Sequence, residues 1–69
     1  MNEYEKLVHA EKYYHTIEVR EKATGKEGVA NTCKYGVQVF YGTYDGSDDK
    51  TISPDEFSQD FEITAEIAN

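Results

Sequence analysis

The stretch that decides the fold runs Ser53-Pro54-Asp55-Glu56-Phe57-Ser58-Gln59-Asp60-Phe61-Glu62-Ile63-Thr64-Ala65-Glu66-Ile67. Its first part is a helix start: Ser53 can cap, Pro54 suits the first helical position with its fixed φ, and acids follow in the first turn. About two turns of helix are expected there, anchored inward by Phe57 and Phe61, which lie four apart. The period then changes to two. Phe61, Ile63, Ala65 and Ile67 alternate with Glu62, Thr64 and Glu66, the pattern of a half-buried strand with an acidic outer face.

The same reasoning extends toward the N-terminus. Asn2 to about Lys12 reads as a short helix, with Asn2 as cap, Glu3 and Glu5 at the positive end of its dipole, and Tyr4, Leu7 and Val8 on one face. From Tyr13 the alternation is strand-like, with Tyr13, His15, Ile17 and Val19 expected on the apolar side. Ala23-Thr24-Gly25-Lys26 supplies a hairpin turn, which is preferred over a helix capped by Thr24 and Glu27 because Gly25, Gly28, Val29, Thr32 and Cys33 are poor helix formers. Val37, Val39 and Tyr41 alternate with Gln38, Phe40 and Gly42, so both faces of that strand are fairly apolar and an inner place in the sheet is expected. Gly42 to Ser53 reads as one long loop. These elements define an α+β fold: a small single domain over residues 1–69 with a mostly antiparallel sheet of about four strands and one or two short helices.

Sixty-nine residues lie near the lower limit for a self-sufficient core, since a chain of this size buries only roughly 60% of its extended surface. Cys33 is the only cysteine, so no internal disulfide can help. The lone thiol, the absence of an apolar run near the roughly 20 residues of a bilayer span, and an N-terminus without a basic head and apolar run point to a cytoplasmic location. Six tyrosines and three phenylalanines argue for folding over disorder.

The net charge of −7 is unevenly placed. Met1 to Phe40 carries six acids and six bases, whereas Tyr41 to Asn69 carries eight acids against Lys50 alone. Such an imbalance predicts a strongly negative end that attracts basic partners and repels nucleic acid and anionic membrane.

The segment Asp45 to Glu56 resembles the calcium-binding EF-hand loop. The resemblance places Asp45, Ser47, Asp49, Thr51, Ser53 and Glu56 at the six ligand positions, where oxygen ligands suit a hard cation. Lys50 stands where that loop has glycine, and a strand-like segment replaces the entering helix. No cofactor is expected, with calcium as the alternative. His9, His15 and Cys33 match no zinc spacing and are read as structural. Paired acids such as Asp48 and Asp49 sit in polar surroundings, and no glycine-rich phosphate loop is present, so no enzyme activity and no catalytic residues are expected.

The functional expectation is a non-enzymatic, acidic protein-binding domain of the kind found among phage or mobile-element proteins. Asp45, Asp48, Asp49, Asp55, Asp60, Glu62 and Glu66 would supply charge, and Tyr41 and Tyr44 would anchor. In its sharpest form it is an inhibitor that fills the nucleic-acid-binding surface of another protein as a nucleic-acid mimic, with no direct contact to nucleic acid or membrane. The alternatives are the calcium module and a small structural or assembly subunit, such as a homodimer through an edge strand at Phe61 to Ile67.

Overall fold

A computed structural model describes residues 1–68. Two helices, α1 (Glu3–Ala10) and α2 (Pro54–Asp60), lie on one face of a five-stranded antiparallel sheet. Its strands are β1 (Thr16–Glu21), β2 (Glu27–Cys33), β3 (Gly36–Phe40), β4 (Lys50–Ile52) and β5 (Phe61–Ile67), in the spatial order β4-β3-β2-β1-β5.

Helix α1 starts with a complete capping box: the Asn2 side chain accepts from the Glu5 N–H, and the Glu5 carboxylate accepts from the Asn2 N–H. It ends at Ala10, two residues earlier than the sequence suggests, and Leu7 and Ala10 are buried against the sheet. Helix α2 starts as expected, the Ser53 hydroxyl accepting from the Glu56 N–H. Phe57 and Phe61 are buried with their rings stacked 5.5 Å apart. With Ile17, Val19, Ala30, Val37, Val39 and Ile52 they form one core between helices and sheet.

Two expectations need correction. Strand β1 begins at Thr16, not Tyr13; the Tyr13 side chain is two-thirds exposed and His15 is exposed, because Glu11 to Tyr13 still turns after the helix. The hairpin between β1 and β2 forms as expected, the Thr24 hydroxyl donating to the Glu21 carboxylate and accepting from the Lys26 N–H. The sheet has five strands because the end of the supposed loop forms β4. There Ile52 is buried opposite Val37 while Thr51 faces outward opposite Gln38. Strand β3 is an inner strand, as its two apolar faces suggest, flanked by β2 and β4.

Gly36 makes the tight β2–β3 connection possible. Its φ is +134°, and a β-carbon there would collide with the Ile52 carbonyl.

Strand β5 contains a β-bulge. Ile63 lies opposite Val19 and Ala65 opposite Glu18, so Thr64 has no partner. The extra residue reverses the alternation beyond it. Glu62 lies opposite Arg20 on the face away from the helices, but Glu66 lies opposite Ile17 on the helix side. The uniformly acidic outer face expected for this strand is thereby split between two surfaces.

Candidate functional site

The nine residues singled out for partner binding occupy three separate places. Tyr41, Tyr44, Asp45, Asp48 and Asp49 lie in the β3–β4 connection, residues 41–49, Asp55 and Asp60 at the two ends of α2, and Glu62 and Glu66 on opposite faces of β5. Several have internal duties. Asp48 pairs with Lys26 at 2.8 Å, Glu62 pairs with Arg20, and Asp49 accepts from the Tyr41 N–H at 3.2 Å. Asp45 accepts from the Ser47 backbone N–H, which, with the Ser47 hydroxyl, holds its pKa below the ordinary value. Tyr44 is fully exposed, whereas Tyr41 packs against the core with the Lys26 ammonium 4.4 Å from its ring centre.

These pairings redistribute charge across the fold. Lys26 and Arg20, from the neutral first part of the chain, meet Asp48 and Glu62 from the acidic last part, while Lys50 meets Glu21 at 3.0 Å. Hydrogen bonds from the Thr24 hydroxyl and then from Lys50 hold the Glu21 carboxyl below its ordinary pKa, and Glu21 in turn raises that of Lys50. The fourth ion pair joins Lys6 to Glu3. Among the described residues, ten acids are left without a base partner, against the three bases Lys12, Lys22 and Lys34. Four of those ten acids, Glu5, Glu11, Glu18 and Glu27, belong to the first forty residues. All three unpartnered bases lie in that part as well, so most of the net negative charge still comes from the last part of the chain, while Glu18 and Glu27 add unpaired carboxylates from the first.

The sheet face opposite the helices is covered by no described element. Register places Glu62, Arg20 and Glu27 in one row across it, then Ala65, Glu18, Val29 and Phe40 in the next, and Asn31, Gln38 and Thr51 beyond. Val29, Phe40 and Ala65 are only half-buried, and Ile67 at the margin is 43% exposed. Glu18, Glu27, Val29, Phe40 and Thr64 line a shallow groove of about 190 Å³ on this face. The sequence signal for it was the second apolar face of β3, which marks Phe40. Glu18 and Glu27 escape notice because their segment is neutral when counted along the chain.

A second depression, an open cleft of about 470 Å³, lies between α1 and β5 and is lined by Glu3, Lys6, His9, Ile63 and Glu66 among others. Glu3 spans its floor, accepting from the Ile63 N–H at 2.9 Å and from Lys6 at 2.8 Å. Burial pushes the Glu3 pKa up, but Lys6 and the Ile63 N–H outweigh it and leave the group below its ordinary value. Glu3, Glu21 and Asp45 are thus all held in the ionised form.

The calcium-loop residues take up other roles. The Ser53 hydroxyl caps α2, Thr51 faces outward from β4, and Asp49 bonds to the Tyr41 backbone. The described residues contain no group of three or more His, Cys, Asp or Glu side chains able to hold a metal ion. His9 and His15 are exposed, His9 lying 5.3 Å from the Tyr13 ring and His15 beside the Thr16 hydroxyl; Cys33 is half-buried. No described helix is long and apolar enough to cross a membrane. Comparison with protein-family models, curated proteins and solved structures finds no match to this chain.

Proposed function

We propose that the chain is a non-enzymatic, cytoplasmic protein-binding domain whose acidic surface engages the basic surface of another protein. The observation that carries this reading is the charge left after internal pairing among the described residues: ten acids without a base partner against three bases without an acid, none of them buried. A field of that sign accelerates encounter with a positively charged partner and disfavours polyanions. The two depressions also support binding over catalysis, because both are open to solvent and enclose no substrate.

Proteins that handle nucleic acid present the basic surfaces such a domain would fit, and an inhibitor of one of them is the sharpest form of the proposal. Capture of partners from lysate on the immobilised protein, eluted by a rising salt gradient, tests it. Elution of a nucleic-acid-handling protein between low and high salt supports the proposal. Binding that is indifferent to salt overturns it, since screening shortens the Debye length from about 10 Å at 0.1 M to about 3 Å at 1 M.

A further inference from the structure

We propose that the open sheet face is the docking surface, and that its occupant is an amphipathic helix of another protein with an apolar ridge flanked by lysines or arginines. The inference rests on the acidic-binding reading and names the surface and the partner's chemistry. It starts from an asymmetry. An antiparallel sheet with one solvated face ordinarily turns polar side chains outward, yet this face places Ala65, Val29 and Phe40 in a single row across β5, β2 and β3. Only one residue interrupts that row, Glu18 on β1.

The charges on the face state what the occupant must bring. Of Glu18, Arg20, Glu27 and Glu62, the arginine is engaged by Glu62, with Nε donating to a carboxylate oxygen at 2.9 Å. Glu18 and Glu27 have no base partner. They belong to paired strands, with Glu18 opposite Val29 and Glu27 two residues before it, so they are diagonal neighbours about 7–8 Å apart at their α-carbons. A helix laid across the face can set two basic residues over these carboxylates and an apolar residue into the groove between Val29 and Phe40. It would complete a helix–sheet–helix sandwich, the arrangement that covers both faces of a sheet. A second copy of this chain fits poorly, since it would bring Glu18 and Glu27 against acids of its own. Polyanionic nucleic acid is disfavoured by the same two charges.

The test is an amide chemical-shift titration of the full chain with two synthetic peptides of equal positive charge. One is a helix with leucines on one side and lysines on the other; the comparator is lysine without leucine. The expected result is tighter binding of the amphipathic peptide, with shifts centred on Glu18, Glu27, Val29, Phe40 and Ala65. Either Phe40→Thr or the pair Glu18→Gln and Glu27→Gln should weaken it about tenfold, a loss of about 1.4 kcal/mol. The two glutamates are exposed, so their variant keeps the test decisive if Phe40→Thr disturbs the sheet. Shifts confined to the Gly42–Asp49 loop or to α2, or unchanged affinity in both variants, would overturn the docking surface and leave the acidic-binding reading standing. Failure of both peptides to bind at low salt would overturn both. Concentration-dependent shifts on this face without peptide would assign it to a second copy instead.

Discussion

The two faces of the sheet are built from the same strands and come to opposite ends. On the helix side Ile17, Val19, Ala30, Val37, Val39 and Ile52 are removed from water under α1 and α2, and the side chains that reach the margin are tied down. Glu11 clamps Thr32 by accepting from its N–H at 2.7 Å and from its hydroxyl at 3.0 Å. Glu3 covers the outward N–H of Ile63. On the other side Val29, Phe40 and Ala65 are left half in water beside two carboxylates without partners. Apolar content alone does not decide which face becomes core. What decides it is whether the chain has an element left to lay over the face, and seven short elements supply helices for one side only.

The contrast can be broken most severely from the covered side. Phe57→Ala should cost about 3–5 kcal/mol, as large-to-small changes at fully buried aromatics do. A domain of this length holds roughly 3–10 kcal/mol in total, so a thermal or denaturant melt should find the variant mostly unfolded. A melt within about 1 kcal/mol of the wild type would show that the face is less tightly packed than its burial implies. Glu11→Ala is next: the loss of two hydrogen bonds to half-buried Thr32 groups should cost about 1–3 kcal/mol of unfolding free energy in a denaturant melt.

On the open side Phe40→Thr should change stability by less than about 1 kcal/mol, because threonine keeps the strand preference and little burial is lost. A cost approaching that of Phe57→Ala would erase the distinction between the faces. The gentlest probe is pH. The Glu3 pKa lies below its ordinary value of 4.5, so the unfolded chain binds that proton first; the stability Glu3 contributes is complete above about pH 5 and is lost as pH falls through the lowered value. Denaturant midpoints should therefore fall more steeply on acidification for the wild type than for Glu3→Gln.

Much of this architecture was legible locally. Asn2 and Ser53 announced both helices through capping chemistry, and Gly25 announced the hairpin, because those signals are contained within four or five residues. What stayed hidden depends on pairing between distant segments. Strand β4 is three residues long, too short for a period to register, and exists because β3 and the core recruit Ile52. The charge map was incomplete for the same reason. Counting along the chain made the first forty residues neutral, but Arg20 and Lys26 are spent on Glu62 and Asp48 from the other part, and that frees Glu18 and Glu27. The candidate site was only partly legible, since Phe40 showed as a second apolar face on β3 while its acidic neighbours did not.

The bulge at Thr64 acts on β5 as a one-residue insertion acts on a reading frame. Residues before it are read in one phase, residues after it in the other, and the message changes meaning without any change in its letters. Removing Thr64 would leave Ala65, Glu66 and Ile67 opposite Glu18, Ile17 and Thr16 as they are; straightening the strand with Thr64 kept in the ladder would instead turn Glu66 to the open face and Ile67 to the cleft beside α1. One uncharged residue, left out of the ladder, thereby sets the electrostatics of two surfaces at once.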